Sequence, residues 1–169
     1  MGMNTNLSWI AGPWPGRLAV SPRPRGGGWL EEEIIGWSES GIDVVVSLLT
    51  HEETNELDLN KEEELCRAHD VFYFSFSIED LGVPASRNEA LNFVKMIERL
   101  LGEGHRIVIH CWGGIGRSGL IAASVLVSAG IEPETAIRLV SEARGMSVPQ
   151  TAQQVQWVRD FADAAAMTR

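Results

Sequence analysis

Apolar positions along the chain fall into short β-branched runs that alternate with longer helical stripes. Ile42 to Leu49 (IDVVVSLL), Val71 to Phe76 (VFYFSF) and Arg106 to His110 (RIVIH) have the length and composition of buried strands. Arg17 to Val20 reads as a fourth strand, set between the turn-rich segments GPWPG and SPRPRGGG. Helical spacing predicts a helix from about Trp29 to Ser40, closed by Gly41, and one or two short helices within the acidic stretch 50–70. Over 87–101, Ala90, Val94, Ile97 and Leu101 share one face, and Gly102 and Gly104 end the helix. Three apolar helices follow: Ser118 to Ala129, Pro133 to Ala143 with proline in the first turn, and about Thr151 to Ala165. Strands alternating with helices predict an α/β fold, a central, mostly parallel sheet flanked by helices. Ligands of such sheets sit at the carboxyl ends of strands, which directs attention to His110 and Cys111.

A chain of 169 residues is the size of one domain, 1–169, with a single core. The hydrophobic share of 44% and six tryptophans exclude a disordered chain. Two cysteines, Cys66 and Cys111, are too few for a disulfide framework and suit a reducing, cytoplasmic setting. No apolar run is long enough for a membrane helix, and the N-terminus MGMNTNLSWIAGPWPG lacks the basic leader and apolar core of a signal peptide. Asn6 stands where an acylation motif at Gly2 requires Ser or Thr. The net charge of -9 is unevenly spread: residues 1–30 carry +3, 31–80 carry -13 and 81–169 carry +1. Such a chain is expected to bind neither nucleic acid nor an anionic membrane, because both need clustered Lys and Arg. An anionic ligand is to be sought in the near-neutral C-terminal half.

That half contains His110 to Gly119, HCWGGIGRSG, directly between the RIVIH strand and a helix that starts near Ser118. Gly113, Gly114 and Gly116 let the backbone curl so that successive N–H groups face inward, and the helix aims its positive end into the same space. Cys111 stands at the lip, where those N–H groups and Arg117 favour the thiolate. The planar fork of Arg117 matches two phosphate oxygens at once. A thiolate beneath a bound phosphate points to phosphoryl transfer. A buried core cysteine with a glycine turn is the alternative for an isolated Cys, but Cys, five residues, Arg and Ser at this spacing argue against it.

The stretch His110-Cys111, Trp112, Gly113, Gly114, Ile115, Gly116, Arg117-Ser118 resembles the signature of the cysteine-dependent protein tyrosine phosphatases, and its short uncharged loop resembles the dual-specificity branch. Together with SIEDLGVP upstream, RGMSVPQT downstream and the N-terminal RLAVSPRPRGGGWLEEEI, it is most similar to the kinase-associated phosphatase group. The resemblance implies the phosphatase fold and a protein phosphatase that forms a phosphocysteine, with a phosphorylated protein as partner and without a cofactor. It implies Cys111 as nucleophile, His110 to Arg117 as the phosphate-binding loop, and Asp80, 31 positions before Cys111, as general acid, with Glu79 as the rival carboxylate. It implies Ser118 as the hydroxyl that supports the leaving thiolate, with a plain helix N-cap as the alternative. Gln150 is similar to the glutamine that positions the hydrolytic water, and Gln153 and Gln154 compete for that role.

Other residues point to less. Cys66 in EEELCRAH reads as a core residue, with redox pairing to Cys111 as the minor alternative. The remaining histidines, His51, His69 and His105, show no metal-ligand spacing, so no metal is expected. The acidic triplets 31–33 and 62–64 read as solvated helix faces or a docking surface for a basic partner. Trp112 either shapes the pocket or packs beneath the loop. Two other classes stay open: a catalytically silent phosphate-binding module, and a thiol sulfurtransferase, which has no need of Asp80. Release of phosphate from p-nitrophenyl phosphate against sulfur transfer from thiosulfate separates the enzymes.

Overall fold

Five strands form one sheet in the order β1-β2-β5-β3-β4: β1 Ser8–Ile10, β2 Arg17–Ser21, β3 Val44–Ser47, β4 Phe72–Ser75 and β5 Arg106–His110. This computed structural model describes residues 6–167, so the reading of Gly2 falls outside it. β2, β5, β3 and β4 run parallel, and β1 pairs antiparallel with β2. The sequence reading omitted β1, because three residues beside a Gly/Pro-rich turn carry no measurable period; pairing with β2 creates the strand.

Helices cover both faces. α1 Leu30–Glu39, α2 His51–Glu56 and α3 Glu62–Ala68 precede β4, and α4 Arg87–Gly102 leads back to β5. α5 Gly116–Ser128, α6 Pro133–Arg144 and α7 Ala152–Ala166 complete the chain. The acidic stretch therefore forms two helices. The T-x-x-E capping box Thr50/Glu53 starts α2, Thr50 Oγ1 accepting from the Glu53 N–H at 3.2 Å.

Alternation along the strands divides the core. Leu18, Val20, Val44, Val46, Ile107, Ile109 and Cys111 face the larger cluster, packed under α4, α5, α6 and α7. Ala19, Val45 and Val108 face the smaller cluster, where Leu30, Ile34 and Trp37 of α1 and Cys66 of α3 pack. Cys66 and Cys111 therefore belong to opposite faces of the sheet. α5 is buried along its whole length, which explains its almost uninterrupted apolar sequence. Ser21, His110 and Ser47 are aligned in register at the carboxyl end of three neighbouring strands, so the chain leaves β5 at the middle of the sheet's functional edge.

Two expectations need correction. The last helix-forming strand-to-helix turn is tighter than predicted: α5 starts at Gly116, two residues before Ser118, and Ser118 is not its N-cap. The triplet 62–64 is not one solvated face, because Glu62 is 1% exposed. Glu62 and Cys66 are four residues apart, so both lie on the side of α3 that faces the sheet, while Glu63 and Glu64 face outward.

Candidate active site

The five residues between β5 and α5 curl tightly. Gly114 has φ +72°, and a Cβ there would stand 2.6 Å from the Ser21 carbonyl carbon, so only glycine fits. The loop's carbonyls are tied down from outside. Arg144, in the last turn of α6, donates from Nε to the Gly114 carbonyl and from Nη2 to the Gly113 carbonyl, both at 2.9 Å. The Arg23 N–H donates to the Trp112 carbonyl at 3.0 Å. A carbonyl held outward leaves the N–H of the same peptide plane pointing the other way, which is how such a loop becomes an anion cradle.

Cys111, Trp112, Gly113, Ile115, Gly116 and Arg117 line a cleft of ≈ 310 Å³ together with Asp80, Leu81 and Gln150. Cys111 is 2% exposed, whereas Trp112 is 42% exposed on the rim. Trp112 thus shapes the pocket mouth and does not pack beneath the loop. Asp80 lies in the lining and Glu79 does not.

Arg117 is almost fully buried and held on three sides. Its Nη1 donates to Glu53 Oε1 at 2.7 Å and to the Ile78 carbonyl at 2.9 Å. Its Nη2 donates to Glu53 Oε2 at 3.0 Å and to Asp80 Oδ1 at 3.3 Å. Glu53 and Arg117 form a two-pronged pair that fixes the guanidinium plane. Burial by itself would push the Glu53 carboxyl up, but the Arg117 hydrogen bond and charge and the Thr50 N–H outweigh it and hold the carboxyl below its ordinary value. Burial likewise acts to lower the Arg117 value, and Glu53, Cys111 and Asp80 together outweigh it and raise it.

Ser118 is fully buried and its Oγ has no hydrogen-bond partner among the described residues. His110 is also fully buried, with Nδ1 3.3 Å from the Cys111 carbonyl oxygen. Gln150 is exposed at the cleft, Gln153 is exposed outside its lining, and Gln154 is buried. Gln154 Oε1 accepts from the N–H groups of Gln150 and Thr151 at 3.1 Å, and its Nε2 donates to the Gly82 carbonyl at 2.9 Å. It therefore ties the start of α7 to the loop that carries Asp80. Cys66 is buried on the other face of the sheet, and burial, then the charges of Glu62 and Glu63, push its thiol up to about 12.

Three of these groups, Glu53, Arg144 and Gln154, went unassigned in the sequence. The Thr50-x-x-Glu53 spacing was a local signal that could have placed Glu53 at a helix start, but nothing local could reveal a partner 64 residues away. Arg144 lay within the recognised RGMSVPQT segment without a role, and Gln154 was one of three adjacent candidates for another task.

The family model "Polymorphic toxin system, DSP-PTPase phosphatase" matches residues 23–131, from the end of β2 through α5. The chain belongs to this family. It is 29% identical over 129 residues to cyclin-dependent kinase inhibitor 3 of Rattus norvegicus, covering 75% of this chain and 60% of that protein. A putative tyrosine phosphatase, 197R, of Invertebrate iridescent virus 6 is 40% identical over 93 residues, 51% of this chain and 32% of that one. The chain thus spans less than two thirds of the curated relatives it matches. Its fold is that of kinase associated phosphatase, solved with its catalytic-site cysteine replaced by serine: TM-score 0.86 at 22% identity, covering 95% of both chains. The active form of Tk-PTP superposes with a TM-score of 0.78 at 25% identity, covering 95% of this chain and 99% of that one.

Proposed function

We propose that this chain is the catalytic domain of a cytoplasmic protein phosphatase that hydrolyses phosphotyrosine, phosphoserine or phosphothreonine esters through a phosphocysteine. The observation that carries the reading is the convergence of Cys111, Arg117 and Asp80 on one cleft floored by a glycine-rich strand-to-helix loop. In the first step the Cys111 thiolate attacks phosphorus; the S–P bond forms as the ester P–O bond breaks, and Asp80 gives its proton to the departing oxygen. Loop N–H groups, the N-terminal end of α5 and Arg117 stabilise the equatorial oxygens. Glu53 keeps the guanidinium oriented, and the incoming phosphate takes the Nη2 side on which Asp80 now rests. In the second step a water oriented by Gln150 loses its proton to Asp80 and attacks phosphorus; the S–P bond breaks, and the electron pair returns to sulfur beside the Ser118 hydroxyl. Neither step requires a metal or organic cofactor.

The rim supports a single phosphate on a protein side chain. Leu81 and Trp112 present apolar surface around the cleft, and Arg117 is the one cation among its lining residues. A polyphosphorylated lipid headgroup would meet no further positive charge there. Cys111→Ser is expected to abolish phosphate release from p-nitrophenyl phosphate while retaining phosphate binding; undiminished release would sink the assignment. Asp80→Asn is expected to lower kcat and flatten the basic limb of the pH profile, and an unchanged profile would transfer the acid role to Glu79.

A further inference from the structure

The geometry points to Glu62 as a positioning residue that reaches the reaction through His110, an inference that rests on the phosphatase reading above. Glu62 opens α3 and is turned into the smaller core cluster, on the side of the sheet opposite the cleft. Its Oε2 lies 2.7 Å from His110 Nε2, with both side chains enclosed. The Trp37 ring stacks on the same imidazole, 5.9 Å between centroids at 28°, so the ring is confined in its plane as well as at its edge.

Accounting for protons gives this arrangement its meaning. The two ring nitrogens face two acceptors, Glu62 Oε2 and the Cys111 carbonyl. A neutral imidazole on its own carries one N–H and serves one acceptor. The Glu62 carboxyl group occupies Nε2, with one proton lying in the short Nε2···Oε2 contact, and this leaves Nδ1–H to serve the Cys111 carbonyl. Holding that carbonyl toward His110 turns the Trp112 N–H of the same peptide plane the other way, as the anion cradle requires. Glu62 thus braces the first peptide of the loop from behind the sheet, as Arg144 braces the later ones from α6.

A packing role does not account for the carboxylate. Glu62 Oε1 is buried without a hydrogen-bond partner among the described residues, an unfavourable state that an apolar side chain would avoid. Its ion pair is with His110, and the groups that feel its charge, the Cys66 thiol on α3 and the Tyr73 phenol on β4, are not cations that would claim the carboxylate.

The test compares the wild-type chain with Glu62→Gln and Glu62→Leu by three measurements. They are hydrolysis of p-nitrophenyl phosphate, the rate of Cys111 alkylation by iodoacetamide at pH 7 read on the Cys111 peptide, and thermal unfolding. Glu62→Leu is expected to lower kcat about tenfold or more and to slow Cys111 alkylation, with little change in KM. Glu62→Gln, which can still hydrogen-bond Nε2 without supplying charge, is expected to recover part of both losses. Folded variants that keep kcat and alkylation within about twofold of wild type would overturn the proposal. Should Glu62→Leu fail to fold, Glu62→Gln decides by itself: slowed alkylation with a wild-type melting curve supports the brace, and wild-type alkylation overturns it. A wild-type chain that releases no phosphate would defeat the phosphatase reading instead, and the alkylation comparison would still judge Glu62.

Discussion

Arg117 shows how one residue acquires its competence from distant partners. Alone, a guanidinium is a flexible cation; here two carboxylate oxygens of Glu53 and the Ile78 carbonyl fix its plane. Removing one partner of a buried pair leaves the other charge uncompensated, which typically costs about 3–5 kcal/mol. Glu53→Gln is therefore expected to lower both stability and turnover. The pH dependence of that loss follows from the depressed Glu53 value. A carboxyl held below its ordinary 4.5 in the folded state stabilises the fold fully above that pH, and the contribution fades as pH falls through the folded value. The stability gap between wild type and Glu53→Gln should accordingly be constant near neutrality and close on acidification below about 4.5, as urea unfolding at a series of pH values would reveal. A gap that persisted unchanged into acid would mean that Glu53 acts by some route other than its charge.

At the scale of elements, the cleft is assembled by segments that recognise one another through backbone groups. The loop that carries Asp80 and the start of α7 meet at Gln154, whose amide bonds Gly82 on one side and Gln150 and Thr151 on the other. This is a mechanical link between the residue proposed to deliver a proton and the one proposed to orient water. Gln154→Ala is expected to loosen the acid loop and leave the nucleophile in place. The prediction is a selective one: hydrolysis of phenyl phosphate, whose poor leaving group needs Asp80, should fall more than hydrolysis of p-nitrophenyl phosphate, by about tenfold. Equal losses on both substrates would place the effect elsewhere. Element boundaries behave similarly. The run Ile42 to Leu49 narrows to a strand of four residues because ladder pairing with β5 and β4, not apolarity, decides where a strand ends.

For the molecule as a whole, the sheet is the common wall of two cores, and β5 is its central strand. Ile109 faces the larger core while its neighbours Val108 and His110 face the smaller side, so the strand transmits packing on both faces to the loop that follows. Ile109→Ala is expected to cost about 2–5 kcal/mol and to shift one cooperative transition, with tryptophan fluorescence and phosphate binding lost together. Separate transitions would show that the two faces unfold independently. Chain-wide, no helix among the described residues is long and apolar enough to cross a membrane. The charge of -9 resides largely in residues 31–80, yet two of those acids, Glu53 and Glu62, are drawn inward to serve Arg117 and His110.

The sequence by itself determined the alternation of strands and helices and the glycine-rich turn from His110 to Arg117, because those signals are local: side-chain period, glycine content and residue spacing. Only the tertiary structure decided that β1 is a strand, that Glu53 grips Arg117, that Arg144 and Gln154 hold the loops, and that Glu62 lies buried against His110. The side-chain pairings join residues 30 to 72 positions apart, and their energy comes from burial and hydrogen-bond geometry that exist only after the sheet and its two helical layers have closed.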